Sequence, residues 1–218
     1  GHIFLYSPEI IKLKEVLNSE SFGKIRYLYT QRLNMGGVQS PANVIEDLAP
    51  HDISIFSYLL NDTCSRVQSF GKAHLVDTED VAFVNLLYKN GTMCHLHVSW
   101  LDPLKVRKTV VVGENQMAVC DSANKTITIY NNSVDLASLE KCANESFACH
   151  LLTYKYGDII MPYIKSVEPL QTEIKEFISC IKEKRQPLSN GDFGFEVVKT
   201  LVAMQKSIKR DGKWVEII

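Results

Sequence analysis

The chain has 218 residues, 45% of them apolar and 22% charged, the balance of an ordinary folded domain rather than of a disordered, collagen-like or coiled-coil chain. Its 24 Lys and Arg against 25 Asp and Glu leave a formal charge of −1, so no net positive field draws in nucleic acid or an anionic membrane surface. Apolar runs such as Val110-Val111-Val112 and Ile159-Ile160-Met161 are far shorter than the ~20 residues that span a bilayer. The opening Gly1-His2-Ile3-Phe4-Leu5-Tyr6 lacks the basic and long apolar regions of a secretory signal. Six cysteines (Cys64, Cys94, Cys120, Cys142, Cys149, Cys180) contain no C-x-x-C pair, and we expect reduced thiols in a cytoplasmic protein.

In chain order, Ser7 and Pro8 predict a helix start, and Ile10, Ile11, Leu13, Val16 and Leu17 carry that helix at helical spacing to about Asn18. Ile25 to Leu33 alternates and holds Tyr27, Tyr29 and Thr30, a strand composition, and the Gly- and Pro-bearing stretch from Asn34 to Pro41 reads as a loop. A second helix is expected from about Asp47 to Leu60, with Ile53, Phe56, Leu59 and Leu60 as its buried side. From Ser65 to Tyr130 the chain breaks into short β-rich runs. Ala82 to Tyr88 and Met93 to Trp100 flank Lys89-Asn90-Gly91-Thr92, a hairpin signal. Val106 to Val112 and Gln116 to Cys120 make a second hairpin, and Thr126 to Tyr130 adds a strand. A further strand is expected at Leu151 to Tyr156. Helices at Pro169 to Lys184 and Phe193 to Lys209 and a strand from Trp214 to Ile218 complete the pattern.

At least six mostly antiparallel strands between helices predict an α+β fold, one large open sheet with helices packed on one face. The run Val81 to Tyr88 is apolar on both of its sides, which predicts that the second face meets another domain or subunit, as in a homodimer or tetramer built through the sheet.

Asp47 and His51 are four residues apart in Glu46-Asp47-Leu48-Ala49-Pro50-His51-Asp52, a spacing that puts both on one helix face. With Asp47 as N-cap and Pro50 in the first turn, the helix dipole would favour a neutral imidazole that the carboxylate orients, the requirement of a general base for a hydroxyl proton. The plainer alternative makes Asp47 a cap and His51 a spacer. Arg32 and Asn34, at a strand end, can bind a sugar hydroxyl or phosphate, or can anchor their loop by a salt bridge. Trp100, Lys105 and Arg107 can offer a stacking surface and anion contacts, or a core indole with two solvated cations. His95 and His97 alternate on one strand face, but two imidazoles without a third ligand are a weak metal signal, and no metal is expected. His2 and Tyr6 suit either packing or substrate contact.

Four segments together, Gly1-His2-x-x-x-Tyr6-x-Pro8, Arg32-Leu33-Asn34-Met35-Gly36, Asp47-Leu48-Ala49-Pro50-His51-Asp52-Ile53-Ser54 and His97-Val98-Ser99-Trp100-Leu101-Asp102-Pro103, resemble the C-terminal part of Gfo/Idh/MocA oxidoreductases. The resemblance implies an NAD(P)-dependent dehydrogenase acting on a ring hydroxyl of a sugar, cyclitol or nucleotide sugar, the last preferred, with His51 as acid/base and Asp47 assisting it. It further implies that residues 1–20 are the end of a Rossmann-side strand and its connecting helix, and that residues 21–218 are the substrate-binding and oligomerisation domain. The 11 glycines never form the G-x-G-x-x-G turn a dinucleotide needs. Gly191-Asp192-Phe193-Gly194 comes nearest and reads as a helix start, and the family's Glu-Lys-Pro motif is also absent. NAD or NADP would thus be bound mainly by a domain upstream of Gly1, and these residues alone are expected to be inactive. The alternative is a non-catalytic carbohydrate-binding or oligomerisation module.

Overall fold

The structure, a computed structural model, describes residues 1–36, 42–134 and 154–217. A 3-10 turn (Ile3–Tyr6) leads into α1 (Pro8–Leu17), followed by β1 (Ile25–Leu33), α2 (Val44–Leu60), β2 (Cys64–Lys72), β3 (Val81–Tyr88), β4 (Met93–Ser99) and β5 (Val106–Gly113). Then come β6 (Met117–Asp121), β7 (Thr126–Val134), β8 (Tyr154–Ile160), α3 (Pro169–Glu183), α4 (Gly191–Ile208) and β9 (Val215–Glu216). The strands form one sheet in the order β8-β7-β6-β5-β1-β4-β3-β2-β9. Every pairing is antiparallel except β1 with β4, whose register runs from Tyr27 opposite Met93 to Leu33 opposite Ser99.

The predicted α+β architecture is what forms, with nine strands among the described residues where the sequence pattern indicated at least six. Alternation fixes which face is covered, because successive side chains point to opposite sides. Ala82, Val84, Leu86 and Tyr88 of β3, Leu96 and Val98 of β4, Leu28 of β1, Val111 of β5, and Ile127 and Ile129 of β7 share one buried core with α1, α2 and α4. Along that face α1 lies over β6 and β7, α2 over β1, β3 and β4, and α4 over β2 and β9. On the opposite face Phe70, Phe83, Tyr27 and Met93 are exposed, and His97 stacks on Phe83 with ring centroids 4.3 Å apart. Among the described residues no helix is long and apolar enough to cross a membrane.

Several boundaries differ from the sequence reading. The second helix starts at Val44, three residues before Asp47, because Asn43 is its N-cap: the Asn43 side chain accepts the Glu46 amide and the Glu46 carboxylate accepts the Asn43 amide, a reciprocal capping box. Asp47 is therefore not the cap, and Pro50 lies inside the helix rather than in its first turn, where it removes a hydrogen bond to the Glu46 carbonyl. The strand expected at Leu151 to Tyr156 is described from Tyr154 and continues to Ile160, residues 151–153 lying outside the described residues. The last strand is only Val215–Glu216, and Trp214 before it carries the Arg66 guanidinium 4.9 Å from its ring centre. Cys64, Cys94, Cys120 and Cys180 are free, buried thiols; Cys142 and Cys149 lie outside the described residues.

Candidate active site

The parallel β1–β4 pair and the antiparallel β1–β5 pair bring the end of β1, the end of β4 and the start of β5 to one edge of the covered face. In register, Arg32 faces Val98 on one side and Arg107 on the other. The Asn34 amide, just past β1, donates to the Ser99 carbonyl at 3.1 Å, which ties the two strand ends together. Above this edge runs α2, with Asp47 and His51 one turn apart. A pocket of about 290 Å³ opens there, lined by Phe4, Arg32, Asn34, Gly36, Asp47, Leu48, His51, Trp100 and Arg107.

A buried ion pair forms its floor. Arg32 donates from Nε to Asp52 Oδ2 at 2.8 Å and from Nη2 to Asp52 Oδ1 at 3.1 Å, and the two residues are 5% and 2% exposed. This is the bidentate fork that holds guanidinium and carboxylate most rigidly. The guanidinium also lies 4.5 Å from the centre of the Phe4 ring, a cation–π contact. Phe4 in turn meets His51 edge-on, with centroids 4.8 Å apart, so the 3-10 turn wedges one aromatic ring between the base candidate and the arginine.

His51 is held neutral, though not for the reason its sequence position suggested. Two turns into α2 it is too far along for the helix terminus to matter much. Burial lowers its pKa to about 4, the adjacent Arg32 charge adds to that, and Asp52 and Asp47 oppose it. Asp47 does not hydrogen-bond the imidazole either. Its Oδ2 accepts the Trp100 indole N–H at 3.0 Å, so its influence on His51 is a nearby charge rather than a fixed orientation. Trp100 is 2% exposed and is thus the support of Asp47, not a stacking surface. Lys105 is exposed and does not line the pocket; Arg107, two residues on, does.

The structure thus brings together His51, Asp47, Arg32, Asn34 and Trp100 of the sequence-predicted set around the pocket and leaves Lys105 outside its lining. It adds Phe4, Leu48 and Asp52, which the sequence reading did not single out. Asp52 adjoins His51 in the chain, but its pairing with a strand residue twenty positions earlier has no local signature. Tyr6 is buried with its hydroxyl 3.1 Å from that of Ser189, and His2 packs edge-on against Phe193; neither lines this pocket. His95 places Nδ1 2.8 Å from the Asn85 side-chain oxygen, so one of its ring nitrogens is already engaged.

Residues 10–119 match the family model described as the GFO/IDH/MocA C-terminal domain. The chain belongs to this family. A curated relative, UDP-N-acetylglucosamine 3-dehydrogenase of Acidithiobacillus ferrooxidans, is 30% identical over 96% of the chain and 61% of the relative. Its solved structure superposes with a TM-score of 0.78 over 98% of this chain and 62% of that one, at 22% identity. An Agrobacterium radiobacter oxidoreductase solved with NAD+, L-tartaric acid and magnesium gives a TM-score of 0.75 at 16% identity, covering 99% of this chain and 64% of that one. A levoglucosan dehydrogenase solved with NADH and L-sorbose gives 0.78 at 13% identity, covering 100% and 65%. The chain therefore spans about three fifths of the length of the relatives it matches.

The Gly191-Asp192-Phe193-Gly194 stretch does not form a dinucleotide turn. Gly191 and Gly194 fall in the first turn of α4, where the Asn190 side chain already accepts the Phe193 amide at 2.9 Å, and the preceding residues are not a strand. The strand, glycine turn and open helix N-terminus that receive a pyrophosphate do not occur together there.

Proposed function

We propose that this chain is the substrate half of a nicotinamide-dependent oxidoreductase that oxidises or reduces a ring hydroxyl of a sugar, cyclitol or nucleotide sugar, with His51 as the acid/base. The observation that carries this reading is the pocket itself: a neutral imidazole, a carboxylate with one oxygen uncommitted, an amide and an arginine converge on a space the size of one sugar ring. Oxidising a carbinol needs a hydride acceptor, which NAD or NADP supplies when bound, and the dinucleotide would be held outside these residues. The nicotinamide-bound relatives support that class of cofactor.

His51, unprotonated at neutral pH, accepts the hydroxyl proton in the oxidative direction and returns it in the reductive one. Asp47, fixed by Trp100, offers its second oxygen to a neighbouring hydroxyl and steadies the imidazolium that forms. Asn34 and Leu48 line the remaining wall. The exposed aromatic face of the sheet seats a second copy of the chain, giving a homodimer or a tetramer.

The test is the full-length gene product, including whatever adjoins these residues, assayed with a panel of sugars and cyclitols and both nicotinamide cofactors. His51→Ala is expected to lower kcat by about 10²- to 10⁴-fold while cofactor affinity is kept. A turnover number unchanged by that substitution removes His51 as the acid/base, whereas no turnover of any sugar or cyclitol with either cofactor by the wild type favours the non-catalytic carbohydrate-binding alternative.

A further inference from the structure

We infer that Arg107 is the anion contact of this pocket, and that the substrate carries a carboxylate or phosphoryl group attached directly to the ring that His51 serves. The inference rests on the oxidoreductase reading for the identity of that ring, but the charge argument stands on geometry.

Arg32 and Arg107 face each other across the β5–β1 ladder, on the covered side of the sheet, where directly opposed like charges destabilise. Among the described residues only Arg32 is in an ion pair. Both carboxylate oxygens of Asp52 are taken by Arg32, while among the described residues no ion pair or side-chain hydrogen bond holds the Arg107 guanidinium; its backbone carbonyl accepts the Ser122 amide at 2.9 Å. Its guanidinium lies 5.9 Å from the Phe4 ring centre, on the same aromatic ring that carries Arg32, and partial burial together with the Arg32 charge pushes its pKa down, the Asp52 charge opposing them without reversing the shift. A partly buried cation set against another cation lacks a bound counter-charge of its own among the described residues. It gains one when an anion enters, because the planar fork of arginine matches the two oxygens of a carboxylate or phosphoryl group.

The position of the fork restricts what that anion is. Arg107 lines the same pocket as His51, Asp47 and Asn34, and about 290 Å³ is at the small end of ligand sites. It has room for one sugar ring with a small substituent, which places the anion on that ring: a carboxylate on it, as in a uronic acid, or the first phosphoryl of a sugar phosphate or nucleotide sugar. Lys105 is exposed and outside the pocket and does not compete for this role.

The experiment uses the full-length protein with three classes of substrate: UDP-N-acetylglucosamine for the phosphoryl arm, glucuronate for the carboxylate arm, and glucose with myo-inositol as neutral controls. The wild type is expected to favour one anionic arm, and Arg107→Gln to cut the anionic-over-neutral preference in kcat/KM by roughly 10- to 100-fold, mainly through KM. Arg107→Lys keeps part of the preference. The arm that loses more under Arg107→Gln names the source of the anion. Isothermal titration with UDP and with glucuronate gives a readout free of turnover. Binding that weakens by the same factor in Arg107→Gln upholds the anion site even if no sugar is oxidised, in which case the oxidoreductase reading alone fails. Equal losses on anionic and neutral substrates, or no binding of either anion to the wild type, overturn the inference.

Discussion

Replacing Asp52 by Asn tests the electrostatic plan of the site without reference to any substrate. The substitution keeps the shape of the side chain and one acceptor oxygen but removes the charge that neutralises Arg32. Arg32 is 5% exposed and Asp52 2%, so the guanidinium cannot turn to water for compensation. Removing one partner of such a pair costs about 3 to 5 kcal/mol, far more than a surface pair. Here the figure belongs near the lower end because Asn retains an acceptor, with an added penalty because Arg107 is left opposite an unneutralised Arg32. Against a typical stability of ~5 to 15 kcal/mol, a loss of about 3 kcal/mol moves the urea midpoint down by roughly 1 M at a slope of ~3 kcal/mol/M. Equilibrium urea unfolding followed by tryptophan fluorescence measures it, and Trp100 sits beside the affected helix. The double variant Arg32→Met/Asp52→Leu completes the argument: with both charges gone it should recover most of the loss. A midpoint shift in Asp52→Asn worth less than about 1 kcal/mol, the range of an exposed pair, would refute the view of this pair as a desolvated, mutually dependent unit.

Two further outcomes are expected. The His51 pKa lies at about 4 in the folded chain against an ordinary 6.5, so as the pH falls below 6.5 the unfolded chain takes up a proton that the folded chain refuses, and stability drains away down to pH 4; at ~1.4 kcal/mol per unit the limit is roughly 3 kcal/mol. The wild type should therefore lose more unfolding free energy than His51→Gln between pH 7 and pH 4.5, and parallel slopes would count against the buried neutral imidazole. For the sheet face, light scattering of the full-length protein should give at least a dimer, with Phe83→Asp shifting it toward monomer, whereas a monodisperse wild-type monomer at micromolar concentration would contradict a copy seated on Phe70, Phe83, Tyr27 and Met93.

What could be read in advance follows the range of the interactions involved. The hairpins at Asn90-Gly91 and at Glu114-Asn115 are local, set by turn residues and alternation, and both form where the pattern put them; Gly91 takes the positive φ of 86° that the first turn demands. The start of α2 was local too, in the Asn43-x-x-Glu46 box, but Pro50 masked it, since a proline ordinarily marks a first turn and here lies inside the helix. The four-residue spacing of Asp47 and His51 placed both on the pocket, because a helix face is a property of spacing alone. Their relation to each other was not in the spacing: Asp47 is engaged by Trp100, 53 residues later, and the His51 pKa is governed by burial and by an arginine on a strand.

Those distant partners share one cause, the parallel pairing of β1 with β4. Had β1 paired antiparallel on both sides, its end would meet the starts of both neighbours, and Trp100, which follows β4, would lie at the far edge of the sheet from Asn34. The parallel register instead sets Leu33 beside Ser99, so the chain leaving β1 and the chain leaving β4 emerge together, while the antiparallel β5 begins at the same edge with Val106 opposite Leu33. The segment leaving β1 passes into α2, which returns across β1, β3 and β4 and lays Asp47, His51 and Asp52 over that edge. One exception to the antiparallel rule thus gathers an ion pair, an indole-bound carboxylate, a neutral imidazole and an uncompensated arginine at a single pocket. No periodicity in the sequence marks that exception, because a parallel ladder and an antiparallel one present the same alternation of side chains.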